Sequence, residues 1–119
     1  MKGIFFYEAI VQMPLEIEGF YNNFLLNGGK MRIIICQVRN REYLKKFIQR
    51  LENKGIFEAR STGESLVGPL AVHDRKELVC TTNLKTIPHK SNSFYSNSPI
   101  LVRLATNYFE QAWNESYEI

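Results

Sequence analysis

The sequence predicts an α/β domain: a mixed sheet of about four or five strands with helices packed on it, in two or three layers. Three observations carry this. Residues 14–60 read helix, Gly-Gly, strand, helix, Gly, strand, the order of a βαβ-type unit whose crossover is right-handed. Leu70-Ala71-Val72-His73 and Leu78-Val79-Cys80-Thr81 flank a polar turn and read as a hairpin. A long apolar-striped helix follows Ser98-Pro99 and closes the chain.

Taken in order, the first dozen residues admit two assignments, since Ile4, Phe6 and Ala9-Ile10-Val11 suit either a strand or the lead-in to a helix. Pro14 fits the first turn of a helix, where its missing N–H costs nothing. From there Leu15, Ile17, Phe20, Tyr21, Phe24 and Leu25 recur at helical spacing, and Asn27-Gly28-Gly29 supplies the stop. Met31 to Val38 is nearly continuous in β-branched and apolar residues, as in a strand buried on both faces. Asn40 caps the next helix, with Tyr43, Leu44, Phe47, Ile48 and Leu51 as its stripe and Lys54-Gly55 as its end. Ile56–Arg60 reads as a short strand, and residues 61–69 and 83–98 as loops. Ser98 caps the last helix, Pro99 stands at its first position, and Leu101, Leu104, Ala105, Tyr108, Phe109, Ala112 and Trp113 form its core stripe.

At 119 residues the chain has room for a single domain, 1–119. Hydrophobic residues at 45% against 23% charged give the balance of a packed globule and exclude a disordered tail. The net charge of +3 comes from 15 Lys and Arg interleaved with 12 Asp and Glu, so direct nucleic-acid binding is not expected from the charge pattern. The N-terminal apolar block is too short for a signal peptide and no apolar run approaches a membrane span. Cytoplasmic localisation with reduced thiols follows as an expectation.

One stretch has the spacing of catalysis. Gly28-Gly29-Lys30-Met31-Arg32-Ile33-Ile34-Ile35, then Val72-His73-Asp74-Arg75-Lys76-Glu77 with Thr81-Thr82-Asn83, then Asn107-Tyr108-Phe109-Glu110-Gln111-Ala112-Trp113-Asn114 occur in an order that resembles phospholipase D-like domains in their non-catalytic branch. The likeness spans residues 15–116 and is nearer to the sensor or effector domains of archaeal TrmB-type transcription regulators and sensory histidine kinases. It implies a phospholipase D-like half-domain, a homodimer, and an output domain or partner protein, since the chain carries no winged helix–turn–helix or kinase portion of its own. The enzymes of that superfamily use His-x-Lys-x4-Asp: histidine attacks phosphorus, lysine holds the oxyanions, and aspartate orders the site. By that resemblance His73 takes the place of the nucleophile, Arg75 of the lysine, and Cys80 of the aspartate. Arginine still binds phosphate, but a thiol cannot orient an imidazole as a carboxylate does. The expectation is therefore no enzyme, but a sensory or regulatory domain that binds a small ligand or relays a signal.

The candidate ligand-binding residues are His73, Arg75, Lys85, His89, Tyr95 and Trp113, with the 84–98 loop closing over a small anion beside His73 and Arg75. Each has a plainer reading: a hydrogen-bonded strand histidine, solvated loop side chains, and a tryptophan packing the last helix onto the sheet. Two histidines without a matching carboxylate make a poor metal site, and no cofactor is implied. Cys36 and Cys80 read as core residues, or as a redox pair if their strands are neighbours. A residual phosphodiesterase active only as a dimer, and a protein-interaction adaptor, remain the rival functions.

Overall fold

The computed structural model describes residues 1–63, 66, 69–81 and 93–119. The opening residues use both assignments in succession: β1 (Lys2–Phe6) passes directly into α1 (Tyr7–Val11). After α2 (Leu15–Leu26), Gly28 adopts φ +89. The Gly29 N–H then donates to the Phe24 carbonyl at 2.9 Å and the Gly28 N–H to the Leu25 carbonyl at 3.1 Å. That pair of bonds is a Schellman stop, which requires the left-handed residue glycine supplies. Strand β2 (Lys30–Cys36) is followed by α3 (Arg41–Glu52), capped by Asn40, whose Oδ1 accepts from the Tyr43 N–H at 3.1 Å. β2 ends two residues before the expected Val38 because Gln37 turns to φ +58.

β3 (Ile56–Thr62), the hairpin β4 (Leu70–His73) and β5 (Glu77–Thr81), β6 (Ser93–Ser96), α4 (Pro99–Asn114) and β7 (Tyr117–Glu118) complete the described chain. The strands lie in the order β6-β5-β4-β1-β2-β3-β7. β1, β2 and β3 are mutually parallel, while β4, β5, β6 and β7 pair antiparallel. The mixed sheet is as expected, but among the described residues it has seven strands rather than four or five. The surplus comes from β1, from β6 inside the stretch read as a loop, and from the two-residue β7, which is too short to leave a pattern.

Side chains alternate across the sheet and build two cores, so the domain has three layers. On one face Phe5, Met31, Ile33, Ile35 and Phe57 meet Tyr7 and Ile10 of α1, Leu25 of α2, and Leu44, Phe47, Ile48 and Leu51 of α3. On the other, Ile4, Phe6, Ile34, Cys36, Leu70, Val72 and Leu78 meet Val102, Phe109, Ala112 and Trp113 of α4. The expected stripes are only partly buried. Leu15 and Phe20 of α2, and Leu101 and Leu104 of α4, face solvent, and Val102 replaces them in the α4 contact. Ser98 occupies the expected cap position without a side-chain cap bond; its own N–H donates instead to Ser96 Oγ at 3.0 Å.

Candidate functional site

The β4–β5 turn decides what the spacing of His73 and Arg75 means. Asp74 and Arg75 both have positive φ, +52 and +57, and the Lys76 N–H donates to the His73 carbonyl at 2.9 Å. Two consecutive left-handed residues bridged in this way form the turn whose twist matches a hairpin. Along an uninterrupted strand, residues two apart share a face. Here the strand stops at His73, and Arg75 swings to the α4 side, where it lines a cleft with Pro99, Val102, Arg103, Thr106 and Asn107.

His73 stays on the face of α1, α2 and α3. It pairs in register with Glu77, and Ala71 with Val79, which in turn pairs with Tyr95. These residues therefore share one face of the sheet, and Tyr95 hydrogen-bonds the Glu77 carboxylate. Next to them, where α2 ends its cover of the sheet, lies a cavity of about 140 Å³ lined by Met1, Phe5, Tyr21, Pro69, Leu70, Ala71, His73 and Val79. Burial, reinforced by the Met1 ammonium, holds the His73 imidazole below its ordinary pKa, against the pull of Glu77 and Asp74. Burial also pushes the Tyr21 hydroxyl upward. Both polar tips thus enter the cavity neutral at pH 7.

Of the six residues singled out from the sequence, His73 and Tyr95 come to one face, joined through Glu77. Arg75 and Trp113 lie on the other side of the sheet. Lys85 and His89 fall outside the described residues. Tyr95 belongs to β6 and not to a closing loop. Trp113 stacks on Phe109 at 5.8 Å between centroids, with the Arg32 and Arg60 guanidinium groups 5.1 and 5.3 Å from its ring. Glu110 receives Lys2 Nζ at 2.7 Å and also pairs with Arg32. This is a packed seam of aromatic rings and cations around one carboxylate, and it anchors α4.

Cys80 faces the α4 core and not the imidazole. Cys36 and Cys80 lie on β2 and β5, three strand spacings apart, or about 14 Å. The redox pair is thereby corrected, because a disulfide needs Cα atoms within about 7 Å. Burial pushes the Cys36 thiol up to about 11 and raises that of Cys80 as well. Among the described residues no three His, Cys, Asp or Glu side chains converge on a point that could hold a metal ion. No helix among them is long and apolar enough to cross a membrane.

Sequence reasoning missed Tyr21, Phe5 and Glu77 as neighbours of His73. The hairpin register could have supplied Glu77; nothing local links Tyr21 or Phe5 to it.

No family model and no curated protein matches the sequence. The fold is similar to that of TrmBL2, described as an archaeal chromatin protein that shows a novel mode of DNA binding. The TM-score is 0.70 at 12% identity, over 99% of this chain and 45% of that one. This chain thus spans less than half the length of its structural neighbour. At the level of fold, the likeness agrees with the archaeal TrmB-type relation expected from the sequence. It also corrects one expectation: a protein that carries this fold binds DNA, so the mixing of basic and acidic residues along the sequence gives no ground for discounting direct nucleic-acid contact. Order along the chain is silent about where the fold gathers its cations.

Proposed function

We propose that this chain is a non-catalytic regulatory domain, a degenerate phospholipase D-like half that responds to a small molecule and passes the change to an output partner. The observation that carries this reading is the placement of His73 and Arg75 on opposite sides of the hairpin. Phosphoryl transfer to histidine needs the nucleophile and an oxyanion-holding cation at one point. Here the imidazole sits in an apolar recess and the guanidinium lies across the sheet. The carboxylate opposite the ring, Glu77, is engaged by Tyr95.

The similarity to part of a DNA-binding chromatin protein supports a regulatory setting. DNA contact, by this chain or by a segment joined to it, belongs to the same reading. α4 supplies a surface for the output partner: Ile100 and Leu104 are 72% and 61% exposed, with Leu101 beside them. Sedimentation velocity decides whether that partner is a second copy, as in a homodimer, or a separate module.

The catalytic alternative is tested with bis(p-nitrophenyl) phosphate. Purified protein is expected to release no nitrophenol above a mock preparation. Turnover that disappears in His73→Ala would overturn the reading.

A further inference from the structure

The recess between α2 and the sheet has a size, a lining and a pair of polar tips, and together they specify a ligand. Its volume is about 140 Å³. Drug-sized ligands occupy roughly 300 Å³ or more, whereas an apolar cavity of about 150 Å³ holds a single benzene ring. The floor and walls are Phe5, Ala71, Val79 and Pro69, which offer carbon surface. His73 and Tyr21 add the polar side chains to this lining. Groups of this kind at the edge of an apolar space favour a guest that satisfies them.

The charges in reach of the imidazole are the Met1 ammonium and the Glu77 and Asp74 carboxylates. Among the described residues they leave no surplus positive charge. The Arg75 cation that would attract an anion is on the far side of the sheet. An anionic guest would lose its hydration without a counter-charge, which costs far more than the desolvation of a neutral ring.

We infer that the His73–Tyr21 recess binds a small neutral monocyclic ring bearing one hydrogen-bonding substituent, its face on Ala71 and Val79 and its polar atom at His73 or Tyr21. This rests on the regulatory reading and names the class of molecule sensed. A bicyclic compound is too large, and the charges of the described residues disfavour a carboxylated ring.

The probes are phenol and its anionic counterpart benzoate, titrated into the ¹⁵N-labelled full chain and followed by amide chemical shifts. Phenol is expected to give saturable shifts at Tyr21, Ala71, His73 and Val79, and benzoate to bind at least ~10-fold more weakly. Ala71→Leu, which fills the recess, is expected to abolish the shifts while amide dispersion is kept. Tyr21→Phe, which removes only a hydroxyl, is expected to weaken phenol by ~3- to 10-fold. It serves as the deciding variant if Ala71→Leu does not fold. Absence of saturable shifts at these residues, equal binding of benzoate, unchanged phenol binding in a folded Ala71→Leu, or, where that variant does not fold, unchanged phenol binding in both Tyr21→Phe and His73→Gln would each overturn the inference. A charged or larger metabolite that raises the melting temperature while phenol does nothing would overturn it too, yet leave the regulatory reading standing. Phosphodiester turnover dependent on His73 would remove that reading instead.

Discussion

α4 is attached to the sheet by two devices side by side, and substitution separates them. Phe109 is fully buried, stacked on Trp113 and capped by the Arg32 guanidinium carbon at 5.3 Å. An aromatic side chain buries about 150–250 Å². At about 25 cal/mol per Å² its transfer is worth roughly 4–6 kcal/mol, of which alanine keeps a part. Adding the cavity left behind, Phe109→Ala should cost about 3–5 kcal/mol. Glu110, the next residue, carries the ion pairs to Lys2 and Arg32, but its side chain is 39% exposed. Desolvation, the largest single influence on its carboxyl, raises the pKa; the hydrogen bonds from Lys2 and Arg32 together outweigh it and hold the group below its usual range. Water screens such pairs to about 0.2–1 kcal/mol each, so Glu110→Gln should cost no more than about 1–2 kcal/mol. Urea unfolding followed by far-UV circular dichroism reads both, with the slope as a check that the transition stays two-state. A domain of this length has roughly 6–18 kcal/mol in total, so Phe109→Ala removes a large fraction of its stability. If Glu110→Gln proves as damaging as Phe109→Ala, or if Phe109→Ala loses less than about 1.5 kcal/mol, apolar packing is not what holds α4.

Two further outcomes follow from the geometry. A Cβ at Gly55 would stand 2.7 Å from the Leu25 carbonyl oxygen, a backbone atom with no rotamer to retreat into. Gly55→Ala should therefore lower stability by about 1–3 kcal/mol, and a neutral result in thermal unfolding would show that the α2 end and the β3 entry do not touch in solution. The imidazole of His73 has a folded pKa below its ordinary value, so below about pH 6.5 the unfolded chain binds the extra proton first. Stability should fall as pH drops from near 6.5 toward the folded value and stay level above it. The difference between native protein and His73→Gln, measured by urea unfolding from pH 7.5 to pH 5, isolates this contribution; parallel curves would refute it.

Much of this architecture is legible in the sequence because local chemistry declares it. The Ile33-Ile34-Ile35 run could only be a strand buried on both faces, and Asn40 and the Gly28-Gly29 pair end and begin elements by hydrogen bonds that span a few residues. The hairpin is equally local. By contrast β1 and α1 meet at Phe6 and Tyr7 with no turn residue between them, so an unbroken apolar run conceals a change of period. β6 is a strand by virtue of pairing with β5; its Phe94-Tyr95 pair is too short a signal among the flanking serines and asparagines to propose one. Leu101 and Leu104 match a helical stripe as well as Val102 does, and only the tilt of α4 on the sheet selects among them. The site shows the same division. His73 is identifiable by its residue type and neighbours. Its separation from Arg75 depends on two backbone dihedrals in a turn, and its company with Phe5 and Tyr21 depends on contacts across more than fifty residues of chain.

The hairpin tip has a consequence for how this surface can change. Asp74 and Arg75 carry side chains in a backbone region that favours glycine and asparagine, at a penalty of roughly 1–2 kcal/mol for a residue such as arginine. An Asn-Gly tip would close the same hairpin without that penalty. The tip therefore lies below its attainable stability while presenting two ionic groups outward. Its identity can drift widely with no repacking of either core, so charge at this corner is a parameter that selection can retune independently of the fold.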